Sequence, residues 1–277
     1  MKTQKIRLAG VIGCPVAHSR SPKLHGGWLK RYDAEGHYVP LHVEPDDLEL
    51  ALTSLPKLGF VGANVTIPHK ETVLGLADEI SEVARKMGSA NTLTFRSDGT
   101  IYADNTDGYG FIENLKAGAP AWRADAGPAL VLGAGGASRA VIVSLLEAGV
   151  SEVILTNRTS ARAEALAEEF GEKITVHPWA DIEDVLSSVD LLVNTTSLGM
   201  NGQPPLEINL DALPTSAIVT DIVYSPLDTD LLKAARAKGC HTVDGLGMLL
   251  HQAVPGFERW FGIRPEVDDE TRAMVLA

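Results

Sequence analysis

The chain has 277 residues, enough for two domains of ordinary size. Hydrophobic residues make up 45% and charged residues 22%, a globular composition that excludes a disordered or low-complexity architecture. Lys+Arg 24 against Asp+Glu 36 gives a formal net charge of -12, which argues against nucleic acid or an anionic membrane as partner, since both need a basic face.

Short β-branched runs alternate with helical patterns along the chain. Ile6–Gly13 reads as a strand, Ser21–Arg31 as a helix and Tyr38–Val43 as a strand. Pro45–Leu58 has Leu48, Leu52 and Leu55 on one helical face, and Gly59–Ile67 is again strand-like. Pro68 is placed to open a helix running from His69 to about Met87 and ending at Gly88. Ala90–Phe95 and Thr100–Asp104 flank a hairpin turn at Ser97–Gly99, and helix Tyr109–Lys116 follows. The second series has strands Ala129–Leu132, Val153–Thr156, Ile174–Val176, Leu191–Asn194 and Ala217–Ile222. Helices Ala137–Ala148, Ala161–Phe170, Ile182–Ser188 and Asp230–Lys238 lie between and after them. This alternation predicts two α/β domains with parallel sheets and helices on both faces. The Ala-, Gly- and Pro-rich stretch Gly118–Pro128 marks the expected junction.

The most telling local feature is strand Ala129–Leu132 running into Gly133, Ala134, Gly135, Gly136 and Ala137, then a helix. A tight glycine turn at a parallel-strand end lets backbone approach a diphosphate, and the helix start offers free N–H groups. Ser138 stands where the third glycine of GxGxxG would be. The next strand ends Thr156-Asn157-Arg158-Thr159 without the acid that NAD-binding folds usually place there. Arg158 can pair with a 2′-phosphate, Asn157 and Thr159 supply neutral donors, and Arg139 and Arg162 lie close in sequence. NADP is the expected cofactor.

Three clusters in the first half lie at strand ends. Ser19 and Ser21 are alternate hydroxyls that could bind a polyol or carboxylate, although Ser21 serves equally as a helix cap before Pro22. Asn64, Thr66 and Lys70 form the second cluster. In the first turn of a helix opened by Pro68, Lys70 would be disfavoured by roughly a few tenths of a kcal/mol, a hint that it is kept for chemistry. Asn91-Thr92 with Asp104–Gly108 forms the third, where Asp107 either caps the next helix or orients a lysine for proton transfer.

Taken in order, these motifs resemble the shikimate dehydrogenase family from Gly13 to about Gln252. They are Gly13–Pro22 with Ser-Arg-Ser-Pro, NVTIPHK at Asn64–Lys70, Gly88–Asn91 before Thr92, and DNTDG at Asp104–Gly108. GAGGA at Gly133–Ala137, Asn157–Thr159, NTTSLGM at Asn194–Met200, Asp221–Tyr224 and DGLGMLLHQ at Asp244–Gln252 complete the set. The resemblance implies reversible NADPH-dependent reduction of 3-dehydroshikimate to shikimate, on the way to chorismate and aromatic amino acids. It implies that Lys70 and Asp107 are the catalytic pair. Substrate contacts carry over to Ser19, Ser21, Asn64, Thr66, Asn91, Tyr224 and Gln252. Cofactor contacts carry over to Gly133, Ala134, Gly135, Gly136, Ala137, Asn157, Arg158, Thr159, Ile222, Gly245, Met248 and Glu82. It also implies an N-terminal substrate-binding α/β domain over residues 1–107, completed by returning C-terminal helices at 246–277. A Rossmann-like NADP-binding domain would occupy 108–245, with the active site in the cleft between. Glycines Gly108, Gly110, Gly245 and Gly247 lie at the expected crossings.

Two other readings stay open. One is a quinate/shikimate dehydrogenase with relaxed substrate or NAD use; the other is a non-catalytic NADP-binding sensor on the same fold. The expected partner is a small-molecule substrate, with neither nucleic acid nor membrane, acting on a monomer or homodimer. Cys14 and Cys240 form no CxxC pair, which suits a reducing cytoplasm, and the eight histidines show no metal-ligand spacing. The apolar run Leu8–Gly13 after Lys2, Lys5 and Arg7 is too short for a secretory signal.

Overall fold

The computed structural model describes residues 6–277; Lys2 and Lys5 lie outside the described residues. Strand β1 (Arg7–Gly13) is buried from Ala9 onward, as its place between two parallel neighbours requires. Helix α1 (Ser21–Arg31), with Pro22 in its first turn, leads to the edge strand β2 (Gly36–His42). The expected helix over 45–58 is instead a 3-10 turn at Pro45–Asp47, helix α2 (Leu48–Ser54) and a second 3-10 turn at Leu55–Leu58. Pro56 has no N–H to continue the α-helical ladder, and Gly59 closes the segment at φ 93°. Strand β3 (Phe60–Val65) follows.

The single helix expected from His69 to Met87 does not form, and Pro68 lies in a turn rather than at a helix start. A 3-10 turn at Thr72–Leu76 gives way to the short strand β4 (Glu79–Ile80) and helix α3 (Glu82–Met87), capped by Ser81. The reason is tertiary. Asp78 N–H donates to Ile101 O at 3.0 Å and Ser81 N–H to Ala103 O at 2.9 Å, so this backbone pairs with a strand rather than with itself. Lys70 therefore stands in a turn, and the dipole argument for it lapses. The hairpin is present: β5 (Thr92–Phe95) and β6 (Ile101–Asp104) are antiparallel, with Gly99 at φ 90°. It makes the first sheet mixed rather than parallel, in the order β2-β1-β3-β5-β6-β4.

Helix α4 (Asp107–Gly118) opens the second series, so Asp107 is its first residue. Strand β7 (Ala129–Leu132), helix α5 (Gly136–Ala148), strand β8 (Val153–Thr156), helix α6 (Ser160–Phe170) and strand β9 (Ile174–Val176) follow. A 3-10 segment at Trp179–Ser188 precedes strand β10 (Leu191–Asn194), strand β11 (Ile218–Asp221), helix α7 (Asp230–Lys238) and strand β12 (His241–Val243). The second sheet is parallel throughout, in the order β12-β11-β10-β7-β8-β9. That is the doubly wound order, with its switch point between β7 and β10. Helices α8 (Leu246–Phe261) and α9 (Asp269–Leu276) end the chain. Among the described residues, no helix is long and apolar enough to cross a membrane.

Two compact units result: the described part of Met1–Thr106 with Leu250–Ala277, and Asp107–Leu249. The stretch 118–128 is not a junction, because Ala119, Trp122 and Ala124 pack into the core that includes Phe111, Val131 and Val141. In the first unit the C-terminal helices close one face of the sheet through an aromatic cluster. Trp28 and Phe257 meet edge-on at 5.4 Å, and the buried His25 stacks on Tyr38 at 4.0 Å. Burial pushes the His25 imidazole down to about 3, so it packs as a neutral ring. The polar tie is Arg259 Nη2 to Asp104 Oδ2 at 2.5 Å, while Asp104 Oδ1 accepts from Ser81 Oγ at 2.6 Å. Arg259→Met would leave that buried carboxylate without its cation, and we expect urea denaturation to show a loss of about 2 kcal/mol.

Candidate active site

In the first unit three of the substrate-site candidates, Asn64, Asn91 and Gln252, join in one buried polar cluster, whereas the Ser19 hydroxyl and the Ser21 and Thr66 N–H groups bond elsewhere. Asn91 Oδ1 accepts from Thr106 N–H at 2.9 Å and from Thr92 Oγ1 at 2.8 Å, and Asn91 Nδ2 donates to Gln252 Oε1 at 3.2 Å. Thr106 Oγ1 lies 3.0 Å from Asn91 Oδ1 and 2.8 Å from Gln252 O, so its single proton serves one of them at a time. Asn64 Nδ2 lies 3.1 Å from Asn91 O and 3.2 Å from Thr92 Oγ1, and Asn64 Oδ1 accepts from Tyr38 Oη at 2.7 Å. Burial holds the Tyr38 phenol well above its ordinary range, so it remains a donor to Asn64. Neither Tyr38 nor Thr106 stood out in the sequence as a site residue. Tyr38 looked like any aromatic strand residue, and Thr106 was masked by the acids beside it.

Lys70 is fixed to this cluster through its backbone, since Ala90 N–H donates to Lys70 O at 2.8 Å. Thr66 N–H donates to Ile12 O at 2.9 Å, which holds Thr66 at the end of β1. A side chain at Gly13 would meet Thr66 Cγ2 at 2.5 Å, so only glycine fits this crossing. Ser19 Oγ accepts from Ser21 N–H at 3.3 Å, a local turn ahead of α1. Ser21 is not the cap of that helix but its first residue. Glu82 stands exposed at the start of α3. Asp107 follows Thr106 directly, half-buried at the first position of α4, where a carboxylate suits the helix dipole.

In the second unit the glycine turn lies at the switch point of the sheet. Gly133 adopts φ 108°, and a Cβ there would meet Thr195 Oγ1 at 2.9 Å. Thr195 Oγ1 donates to Leu132 O at 2.7 Å and lies 2.5 Å from Ser138 Oγ, which accepts from Gly135 N–H at 3.2 Å. Ser138 is thus a fully buried latch between β10 and the start of α5, which explains a serine at the usual glycine position. A Cβ built at Gly135 or Gly136 meets nothing within 4 Å. The helix start is therefore open to a close-approaching diphosphate, and these residues fit the dinucleotide expected from the sequence.

Asn157 Oδ1 accepts from Ala134 N–H at 3.2 Å, and its Nδ2 donates to Thr159 O at 2.8 Å. It braces the glycine turn against the end of β8, so one of its N–H groups is already used. Arg139 is likewise committed, to Glu169 and to the face of Phe170. Arg158 and Arg162 are exposed, and among the described residues neither guanidinium has a partner. A Cβ at Gly245 would collide with Ile222 O, and one at Gly247 with Asn114 Oδ1. Both glycines serve close packing within this unit; the first brings Ile222 and Gly245 together. Met248 packs against the same core, and Tyr224 is half-buried after β11.

Profiles for three domains match the chain: "Shikimate dehydrogenase substrate binding domain" at residues 11–93, "Shikimate / quinate 5-dehydrogenase" at 121–200, and "Shikimate 5'-dehydrogenase C-terminal domain" at 245–269. The shikimate dehydrogenase (NADP(+)) of Ruegeria sp. is 60% identical over 276 residues, covering 100% of both chains. The chain belongs to the shikimate dehydrogenase family. Among solved structures, the family's Thermus thermophilus shikimate 5-dehydrogenase, in complex with NADP(H) and shikimate, is 38% identical with TM-score 0.84, covering 98% of this chain and 97% of its own. The quinate dehydrogenase of Corynebacterium glutamicum in complex with NAD is 34% identical with TM-score 0.90, covering 97% and 98%.

Behind the second-unit site lies a buried acid that the sequence showed only as part of a motif. Asp221 accepts from Asn194 Nδ2 at 2.9 Å, Val223 N–H at 3.0 Å and Thr229 Oγ1 at 2.8 Å. Burial outweighs these bonds and pushes its carboxyl up to about 6. A carboxyl raised in the folded state binds its proton more tightly there than in the unfolded chain. Its contribution to stability is fully present below the unfolded pKa and is lost as pH rises through about 6. Urea titrations between about pH 4 and pH 7 should show this loss, on the order of 3 kcal/mol, and Asp221→Asn should flatten it.

Proposed function

We propose that this chain reduces 3-dehydroshikimate reversibly to shikimate with NADPH, on the way to chorismate and the aromatic amino acids. The carrying observation is the 60% identity, along the whole of both chains, to an NADP(+)-dependent shikimate dehydrogenase. When bound, the cofactor supplies the hydride. Gly133, Ala134, Gly135, Gly136 and Ala137 hold its diphosphate at the start of α5, with Arg158 and Thr159 at the 2′-phosphate. Ile222, Gly245, Met248 and Glu82 are assigned to its remaining contacts. Ser19, Ser21, Asn64, Thr66, Asn91, Tyr224 and Gln252 bind the carboxylate and hydroxyls of the ring.

Reduction of the ketone leaves negative charge on its oxygen, so a cationic proton donor must be within hydrogen-bond reach. Lys70 fills that role: its Nζ stabilises the developing alkoxide, gives it a proton and is reprotonated from solvent. Asp107 orients the lysine and the reacting hydroxyl. The two unpaired cysteines, Cys14 and Cys240, fit a cytoplasmic enzyme, which we assign as a monomer or homodimer.

Steady-state assays at the nicotinamide absorbance band test this reading. Lys70→Ala should lower kcat by about 10²–10⁴-fold with little change in the KM for shikimate. A near-normal kcat would remove Lys70 from the chemistry, and binding of NADP without any turnover of the wild type would favour a sensor. Arg158→Ala should lower kcat/KM for NADP about tenfold or more and leave that for NAD nearly unchanged, the loss of one charge-assisted contact. The likeness to a quinate dehydrogenase with NAD favours one second reading, in which quinate is also a substrate. The ratio of kcat/KM for shikimate and quinate, each with NADP and NAD, separates the two.

A further inference from the structure

Outside the polar cluster around Asn91, three different metal-ligating side chains meet where β1 and β2 end. Cys14 Sγ lies 3.7 Å from His42 Nε2 and 3.2 Å from Glu44 Oε2, and His42 Nε2 lies 3.0 Å from Glu44 Oε1. The sequence did not show this group, because Cys14 and His42 are 28 residues apart. Parallel pairing joins them: Gly13 is in register with His42, and Val43 N–H donates to Gly13 O at 3.2 Å. Along an extended segment His42 and Glu44 point to the same side, and Cys14 is the next residue after β1.

The backbone that carries these groups is fixed. Cys14 N–H donates to Ile67 O at 3.1 Å, and His69 Nε2 lies 2.8 Å from Val43 O, between the two β2-side ligands. His69 is thereby used as a brace and is not a fourth ligand.

We propose that Cys14, His42 and Glu44 form a binding site for a borderline-soft divalent cation, with Zn²⁺ as the best fit and solvent as the fourth ligand. Tetrahedral zinc with ordinary bond lengths separates its sulfur, nitrogen and oxygen donors by about 3.3–3.6 Å. Cys14 Sγ and His42 Nε2 stand 3.7 Å apart, with one Glu44 oxygen 3.2 Å from the sulfur and the other 3.0 Å from the nitrogen, so a turn of the carboxylate brings a single oxygen to both. A thiolate with an imidazole and a carboxylate selects such a metal over Mg²⁺ or Ca²⁺, which take oxygen ligands. His42 and Glu44 are exposed and Cys14 half-buried, which leaves an entry path. On binding, the thiol proton leaves to solvent and the metal replaces the hydrogen bond from Cys14 to Glu44. The ion would clamp the end of β1, from which the chain continues to Ser19 and Ser21.

Cobalt(II) titration of the full chain, free of affinity tags, tests the site. One equivalent should give the intense visible bands of tetrahedral cobalt and a sulfur-to-cobalt charge-transfer band, and added Zn²⁺ should bleach both. Cys14→Ser should abolish the charge-transfer band, and His42→Ala and Glu44→Gln should each weaken binding about tenfold or more. Cys240→Ser should leave the spectrum unchanged, and circular dichroism of each variant checks its fold. Excess Zn²⁺ at about a hundred times its Kd should also raise the melting temperature of the wild type but not of the Cys14→Ser, His42→Ala double variant. Only the weak spectrum of octahedral cobalt with the wild type, or an unchanged spectrum in Cys14→Ser, would overturn the proposal.

Discussion

The side chain of Asn91 carries no charge, yet the first unit is organised around it. Its oxygen and nitrogen join the start of β5, the residue after Asn105 and helix α8, through Thr92, Thr106 and Gln252. Such a buried amide is costly unless its bonds are made, so satisfying it fixes where each of these segments ends. Asn64 extends the network to β3 and Tyr38 to β2. Lys70 inherits its position because Ala90, the neighbour of Asn91, takes its carbonyl. A polar constraint of this kind sets side-chain positions more sharply than apolar packing, in which several rotamers often suffice.

The second unit uses the same device at its switch point. Where β7 and β10 end side by side, Thr195 joins them to helix α5 by bonding Leu132 O and Ser138 Oγ. This fixes the glycine turn from behind and leaves its front open at Gly135 and Gly136. On the far side of β10, Asp221 gathers Asn194, Val223 and Thr229 in the same manner. Rigid support behind an open backbone is what binding a diphosphate requires, because donors held in place lose little freedom when the ligand arrives.

A formal net charge of -12 and a cofactor with several phosphates make an unfavourable long-range pair. Local arrangement offsets this. Arg139 is neutralised by Glu169, whereas Arg158 and Arg162 stay exposed, without partners among the described residues, near the end of β8. The three arginines are close in sequence and look alike there. Only the contacts of Arg139 with Glu169 and Phe170 separate the structural one from the two exposed ones.

Much of the fold could be read from hydrophobic period and punctuation. Strands such as Ala129–Leu132 and helices such as Asp230–Lys238 have their observed limits because Gly, Pro and capping residues act locally. The motifs and their order carried the family, the cofactor and the candidate residues. The segment from His69 to Met87 defeated such reading, because its backbone partners, Ile101 and Ala103, lie more than 20 residues away. Tyr38, Thr195 and the grouping of Cys14 with His42 and Glu44 were hidden for the same reason. By itself the sequence determined which chemistry is present and the local conformation of most segments. Tertiary structure alone decided which side chains share a hydrogen bond, because those contacts join strands that are adjacent in space and distant along the chain.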